Sequence, residues 1–150
     1  TRCRIVTGVQ TCALPILQYL DLLGEAAETG LYTIIGHLDL VKKFGHRPTR
    51  DLSWAFDALC ERLAGSGVIV ELNTAGLRKP VGEVYPDLDL LRRAQCRRIP
   101  ITFGSDAHAP GEVGWQFAAA ASLARAAGYT SWLRLVEQPG MRAGREARPL

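Results

Sequence analysis

The stretch Ile99-Pro100-Ile101-Thr102-Phe103-Gly104-Ser105-Asp106-Ala107-His108 decides the fold of this chain. Its first half is apolar and rich in strand-forming residues, and Gly104 separates that half from a polar Ser-Asp-Ala-His. In α/β proteins, the carboxyl ends of parallel strands carry the loops that hold ligands and catalytic groups. Asp106 and His108 are separated by one residue, so their side chains leave the same face while the backbone stays extended. A carboxylate and an imidazole on one face suit zinc, manganese or iron, although an isolated Asp-x-His is also typical of a turn with a surface histidine.

The rest of the chain repeats the same alternation of strand and helix. The hydrophobic pattern predicts strands near residues 31–35, 68–72, 100–104 and 132–136. It predicts helices that begin near Leu17, Asp51, Asp87 and Trp115. Strands that alternate with helices imply parallel βαβ units with right-handed crossovers, so the predicted fold class is α/β. Polar groups after successive strands favour an incomplete β/α barrel over a doubly wound sheet.

Composition and charge exclude several classes of protein. A length of 150 residues with 47% hydrophobic residues allows one domain with a real core. The formal net charge of +3 is too weak to indicate a nucleic-acid partner. The four cysteines lack C-x-x-C spacing, so they indicate neither a zinc knuckle nor a disulfide framework, and a reduced, cytoplasmic location is expected. No segment approaches the roughly 20 apolar residues of a membrane helix, and the sequence does not indicate an oligomeric state.

The two ends of the chain depart from this pattern. Residues 6–16, Val-Thr-Gly-Val-Gln-Thr-Cys-Ala-Leu-Pro-Ile, resemble a common sequencing-library adapter translated in one reading frame. Residues 1–16 are therefore interpreted as a non-native segment that makes no consistent packing contacts, and the natural protein as truncated on that side. Residues 138–150 contain several glycines and prolines, which predicts an irregular tail. The predicted domain occupies residues 17–137.

Three motifs in this domain carry a family resemblance. They are Gly36-His37-Leu38-Asp39-Leu40, then Glu71-Leu72-Asn73-Thr74-Ala75-Gly76-Leu77-Arg78-Lys79-Pro80, and lastly Thr102-Phe103-Gly104-Ser105-Asp106-Ala107-His108. In this order they resemble the C-terminal half of the PHP (polymerase and histidinol phosphatase) superfamily, most closely its histidinol-phosphatases. The resemblance implies part of a distorted (β/α)7 barrel that holds three divalent metal ions (Zn, Mn or Fe) at its strand ends. It also implies hydrolysis of histidinol phosphate, a small phosphomonoester, in histidine biosynthesis.

The resemblance assigns roles to individual residues. It implies that His37, Asp106 and His108 are metal ligands, and that Asp106 also orients the attacking hydroxide or takes its proton. Arg78 would bind the substrate phosphate, since a guanidinium matches phosphate oxygens in two places. From the residues alone, His37 is more typical of a loop histidine than of a metal ligand, and a solvent-facing arginine stays the alternative for Arg78. Glu71 is interpreted as structural, and Lys42, Lys43 and His46 as part of a solvated loop that could rim the pocket.

The chain also lacks features of that superfamily. Its opening H-x-D-H-type motif is absent, as are the further glutamate and histidine ligands that precede the G-H-x-D strand. The remaining ligands are too few for three metal ions, so this chain by itself is expected to be inactive. Two alternatives stay open: another PHP phosphoesterase or a polymerase-associated PHP nuclease domain, and a non-catalytic α/β fragment.

Overall fold

The computed structural model describes residues 13–45, 47–48, 50–137 and 144–150. The helices are α1 (Ala13–Glu28), α2 (Ser53–Ser66), α3 (Leu88–Cys96) and α4 (Phe117–Ala126). The strands are β1 (Ile34–Ile35), β2 (Ile69–Asn73), β3 (Ile101–Gly104), β4 (Ser131–Val136) and β5 (Gly144–Pro149). Short 3-10 turns occupy Leu40–Lys42, Thr74–Arg78 and Pro110–Glu112. No helix within these ranges is long and apolar enough to cross a bilayer.

The first three strands form a parallel sheet in the order β1-β2-β3. Ile35 pairs with Val70, and Asn73 pairs with Gly104, so the carboxyl ends of the strands lie along one edge. This confirms the predicted parallel arrangement for these three segments and the α/β class. The strand β1 is shorter than predicted, because Leu31 and Tyr32 are exposed and do not join the sheet.

The fourth strand is a correction to the predicted parallel sheet. The strand β4 pairs with β5 in an antiparallel ribbon of its own, in which Ser131 faces Pro149 and Val136 faces Gly144. It contacts the parallel sheet through side chains, since the rings of Trp132 and Phe103 lie 5.1 Å apart. The expectation of a fourth parallel strand was therefore wrong.

The ribbon also corrects the predicted tail. Residues 144–149 form β5, whereas residues 138–150 were expected to be irregular. Gly144 and Pro149 stand at the two ends of β5, where a strand tolerates both residue types. Residues 138–143 lie outside the described part of the chain.

The core lies between the parallel sheet and the helices. The strand β2 is buried at four of its five positions, as expected for a central parallel strand. The apolar side chains packed around it come mainly from α2, α3 and β3: Leu59, Leu63, Leu90, Leu91 and Ile101. The helix α3 begins after Asp87, whose carboxylate accepts a hydrogen bond of 3.0 Å from the backbone N–H of Leu90. This cap satisfies one of the free N–H groups of the first turn.

The helix α1 starts four residues before the predicted domain boundary. It begins at Ala13, and Ile16 is 7% exposed within the core. The expectation that residues 1–16 make no packing contacts is therefore wrong for Ala13 and Ile16, whereas Leu14 and Pro15 are exposed. Burial of an apolar side chain on the inward face of a helix is favourable because it removes apolar surface from water, whether or not the residue is native to the protein. Residues 1–12 lie outside the described ranges, and their resemblance to an adapter stays a prediction.

Candidate functional site

The site lies at the carboxyl ends of the three parallel strands. His37 follows β1, Asn73 ends β2, and Asp106 follows β3. The φ angles of His37 and Asp106 are +56° and +48°, in the left-handed region that residues other than glycine rarely adopt. The backbone therefore turns sharply directly after β1 and just after β3. Such conformations cost free energy, and they concentrate at functional sites.

Three side chains meet at this edge, and we call them the edge cluster: His37, Glu71 and Asp106. The Nε2 atom of His37 lies 3.8 Å from Oδ2 of Asp106, and its Nδ1 atom lies 3.7 Å from Oε2 of Glu71. The structure thus brings His37 and Asp106 together. Both distances exceed that of a hydrogen bond, so the imidazole is flanked by two carboxylates without being closed off by either.

Glu71 reaches the edge because its neighbours on both sides are glycines. A Cβ atom added to Gly104 would lie 1.9 Å from Oε1 of Glu71, and one added to Gly36 would lie 2.6 Å from Oε2. The Nδ2 atom of Asn73 donates a hydrogen bond of 3.0 Å to the same Oε2 atom. In this conformation the carboxylate occupies space that a side chain at position 36 or 104 would need, and the two glycines leave that space open. This position of Glu71 differs from the purely structural role expected from the sequence. A glutamate within an apolar strand, with glycines at the ends of the two neighbouring strands, is the pattern that indicates it.

His108 contacts the backbone of Asp106 and the side chain of Glu112. Its exposed imidazole is 2.8 Å, through Nδ1, from the backbone oxygen of Asp106. Its backbone N–H donates a hydrogen bond of 2.8 Å to Glu112 and, together with the charge of Arg78, holds the pKa of that carboxyl below its usual value. Among the described residues, it is the carboxylate of Glu71 that lies beside Nδ1 of His37, at 3.7 Å.

Arg78 borders the loop that carries Asp106. Its Nη2 atom donates hydrogen bonds to the backbone oxygens of Ser105 (2.9 Å) and Asp106 (3.2 Å). The guanidinium carbon lies 5.1 Å from the ring centre of Trp115, a cation–π distance. Its Nη1 atom is buried and has no hydrogen-bond partner among the described residues. One face of the guanidinium thus holds the loop, and one donor is left for another acceptor.

A second polar group, which we call the buried cluster, consists of the buried Asp39 and Lys42 together with the partly exposed Glu83. The Nζ atom of Lys42 lies 2.7 Å from Oδ2 of Asp39 and 3.1 Å from Oε2 of Glu83, and it also donates to the backbone oxygen of Val84. Lys42 is 2% exposed, which corrects its assignment to a solvated loop. Burial raises the pKa of Asp39 to about 6. Asp39 also accepts a hydrogen bond from the backbone N–H of Asp87, so this cluster joins the start of α3 to the segment after β1.

The distance between two donor atoms of the edge cluster is compatible with a shared metal ion. Ligand atoms bound about 2.0–2.2 Å from one zinc ion can be separated by as much as the 3.8 Å between His37 Nε2 and Asp106 Oδ2. A complete site needs more donors than this pair supplies. In residues 13–45, 47–48, 50–137 and 144–150, no three His, Cys, Asp or Glu side chains form a group that could hold a metal ion. The described residues therefore do not form a metal site by themselves.

Comparisons with known proteins were made for the whole sequence. No protein-family model matches the chain. It is 52% identical over 110 residues to the protein named probable histidinol-phosphatase of Deinococcus radiodurans, an alignment that covers 73% of this chain and 42% of that protein. It is 32% identical over 90 residues to the histidinol-phosphatase of Bacillus subtilis, covering 57% of this chain and 34% of the relative. The chain therefore spans less than half the length of these relatives.

A solved structure is also similar to this chain. A protein from Listeria monocytogenes, described as a candidate histidinol phosphatase, superposes with a TM-score of 0.60 at 29% identity, over 69% of this chain and 42% of that one. The resemblance to the histidinol-phosphatases is thus confirmed both by sequence and by fold. Over the aligned residues, the chain is therefore similar in sequence and fold to proteins named as histidinol-phosphatases.

Proposed function

We propose that this chain contributes the described site to a phosphoric monoester hydrolase that acts on histidinol phosphate. The observation that carries the proposal is the identity of 52% over 110 residues to the Deinococcus radiodurans protein named for that activity. The edge cluster supports it, because an imidazole and two carboxylates meet at the carboxyl ends of parallel strands, where α/β enzymes place their catalytic groups.

His37, Asp106 and His108 are the proposed metal ligands. His37 and Asp106 present donor atoms 3.8 Å apart, and His108 follows in the same loop as Asp106. A divalent ion, when bound, would neutralise charge on the phosphate and lower the pKa of a water molecule. No group of three His, Cys, Asp or Glu side chains among the described residues could hold a metal ion, so the proposal requires further ligands from outside them. Zinc, manganese and iron all suit imidazole and carboxylate donors.

Arg78 is the proposed phosphate-binding residue. Its buried Nη1 atom has no hydrogen-bond partner among the described residues, and a buried donor without an acceptor costs free energy. A phosphate oxygen at this position would accept that hydrogen bond and meet the positive charge. Asp106, whose side chain is 43% exposed, is the proposed catalytic residue that orients the attacking water or takes its proton. The hydrogen bonds from Arg78 Nη2 to the backbone of Ser105 and Asp106 keep the phosphate site and this carboxylate next to each other.

The proposal also includes the fold of the whole protein, its partners and its cellular location. The three parallel strands and the TM-score of 0.60 support part of a (β/α)7 barrel of the PHP type, with residues 17–137 as its C-terminal half. The substrate is a small molecule, without nucleic-acid or membrane partners, and the reaction belongs to histidine biosynthesis in the cytoplasm.

A chimera tests the proposed activity. Residues 17–137 would replace the aligned segment of the Deinococcus radiodurans relative, after that parent is shown to release phosphate from histidinol phosphate. We expect the chimera to release phosphate with zinc or manganese and to lose this activity on chelation, while the 150-residue chain alone shows little turnover. A folded chimera without activity, activity that ignores the chelator, or equal activity of the isolated chain would each contradict the proposal.

Two substitutions in the chimera separate the proposed roles. Asp106→Asn is expected to lower kcat by orders of magnitude while the fold is kept, because the amide can neither take a proton nor supply the same charge. Arg78→Ala is expected to lower kcat/KM by the equivalent of about 2–3 kcal/mol, the range of a charge-assisted hydrogen bond. Asp89→Asn, at an exposed position on α3, is the matched control and should leave both constants unchanged.

A further inference from the structure

His37 stands between two carboxylates that differ in how firmly they are held. Glu71 lies on the central strand β2, its side chain is 21% exposed, and it is seated between Gly36 and Gly104. Asp106 lies in a loop, and its side chain is 43% exposed. The distances to the imidazole are nearly equal, at 3.7 and 3.8 Å, so the difference between the two partners is in their surroundings.

The surroundings favour Glu71 as the partner of a ring proton. Solvent screens an exposed carboxylate more than a buried one, so at equal distance the more buried charge acts more strongly on the imidazole. The Glu71 carboxylate is also held by a hydrogen bond from Asn73 to Oε2, in the space that Gly36 and Gly104 leave open. A neutral imidazole carries one proton, and the nitrogen that keeps it is set by the partner of that nitrogen.

We infer that Glu71 is a positioning residue that holds the His37 ring with its proton on Nδ1 and its lone pair on Nε2. The lone pair then points towards Asp106, on the open side of the edge cluster. In metal-binding histidines, a carboxylate beside one ring nitrogen fixes the orientation in which the other nitrogen binds the ion. The tautomer is a property of this chain, whereas the use of Nε2 as a ligand rests on the proposed function.

The tautomer can be measured on the 150-residue chain without metal or substrate. Long-range ¹H–¹⁵N spectra distinguish Nδ1–H from Nε2–H in each imidazole, and the spectrum of His37→Asn identifies the signals of His37. In spectra recorded at about pH 8.5, we expect the ring proton of His37 on Nδ1, beside the Glu71 carboxylate. A ring with its proton on Nε2, or with protons on both nitrogens, would overturn the inference.

Substitutions of Glu71 then test the cause. Glu71→Gln keeps the volume that fills the space between the glycines but removes the charge, and we expect the ratio of Nδ1–H to Nε2–H to fall by about tenfold. Glu71→Asp keeps the charge on a shorter side chain and is expected to give an intermediate ratio. Glu61→Gln removes an exposed charge on α2 and should leave the His37 signals unchanged. An unchanged ratio in a folded Glu71→Gln chain, judged by its amide spectrum, would show that Glu71 does not set the tautomer.

The positioning role of Glu71 and the proposed activity can fail independently of each other in these experiments. If the chimera hydrolyses histidinol phosphate but the free ring carries its proton on Nε2, the positioning role fails and the activity stands. If the Nδ1–H tautomer depends on Glu71 but the chimera is inactive, the activity fails and the positioning role stands. In an active chimera, Glu71→Gln is further expected to weaken zinc binding by about 10–100-fold, measured by competition with a chelator.

Discussion

The edge cluster and the buried cluster begin within one short segment after β1, yet they are built differently. In the buried cluster, the Nζ atom of Lys42 lies 2.7 and 3.1 Å from carboxylate oxygens, which are hydrogen-bond distances. In the edge cluster, the nitrogens of His37 lie 3.7 and 3.8 Å from theirs. His37 and Asp39 differ by two positions, so neighbours in sequence serve these two different groups.

The difference separates polar groups that stabilise the fold from those that are available to a ligand. A buried charge that meets its partner at hydrogen-bond distance is already neutralised, and removing one partner leaves the other uncompensated. A partly exposed imidazole with gaps on both sides can still accept a new partner. We therefore expect substitutions in the buried cluster to change stability and substitutions in the edge cluster to change ligand binding.

The largest effect is expected for Lys42→Met. The substitution leaves the carboxylate of Asp39 buried without its cation, which should lower the free energy of unfolding at pH 7 by about 3–5 kcal/mol in urea denaturation. Lys43→Met is the control, since Lys43 is less buried, and should change stability by no more than about 0.5 kcal/mol. Equal effects of the two substitutions would contradict the distinction between the clusters.

Arg78→Met is expected to have an intermediate effect. It removes the two hydrogen bonds from Nη2 to the backbone of Ser105 and Asp106, and such bonds to a charged donor suggest a loss of about 2 kcal/mol. The amide signals of residues 105–108 should broaden or shift more than those of the buried cluster. Arg92→Met, at an exposed position on α3, is the control. A stability loss without any change at residues 105–108 would argue against a role in holding this loop.

Asp106→Gly is expected to stabilise the fold, whereas Lys42→Met and Arg78→Met are expected to destabilise it. Because the φ angle of Asp106 is +48°, glycine relieves strain there and should raise the free energy of unfolding by up to about 1 kcal/mol. In the active chimera the same change should abolish phosphate release, so stability and activity would move in opposite directions. A clear loss of stability would mean that Asp106 contributes to the fold, as the buried cluster does.

The smallest effect on stability is expected for His37→Asn. Asparagine tolerates the left-handed conformation, and the imidazole makes no side-chain hydrogen bond recorded for the described residues, so the change should stay within about 0.5 kcal/mol. Thermal unfolding followed by circular dichroism measures it. A loss comparable to that of Lys42→Met would place His37 among the groups that hold the fold together.

The sequence by itself determined the parallel strands, the helices between them and the position of polar groups after the strands. Apolar runs of strand-forming residues ending in glycine identified the ends of β1 and β3, and parallel strands bring their carboxyl ends to one edge. That is sufficient to predict that His37 and Asp106 approach one another. The motifs around them also identified the homologous family, because they combine residue type, order and spacing.

Only the tertiary structure decided which charged groups are partners and which strands pair with which. Nothing in the local sequence distinguishes Lys42 from Lys43, and the burial of Lys42 depends on Glu83 and Val84 from a distant segment. Glu71 belongs to the site because Gly36 and Gly104 leave room on both sides, which periodicity along one strand cannot report. The antiparallel pairing of β4 likewise depends on β5, whose glycine and proline residues are equally typical of irregular structure. For Lys42 and Glu71 the deciding interaction joins residues far apart in the chain, and for β4 it joins two successive strands. Sequence patterns report mainly on local conformation and on the face that a residue occupies.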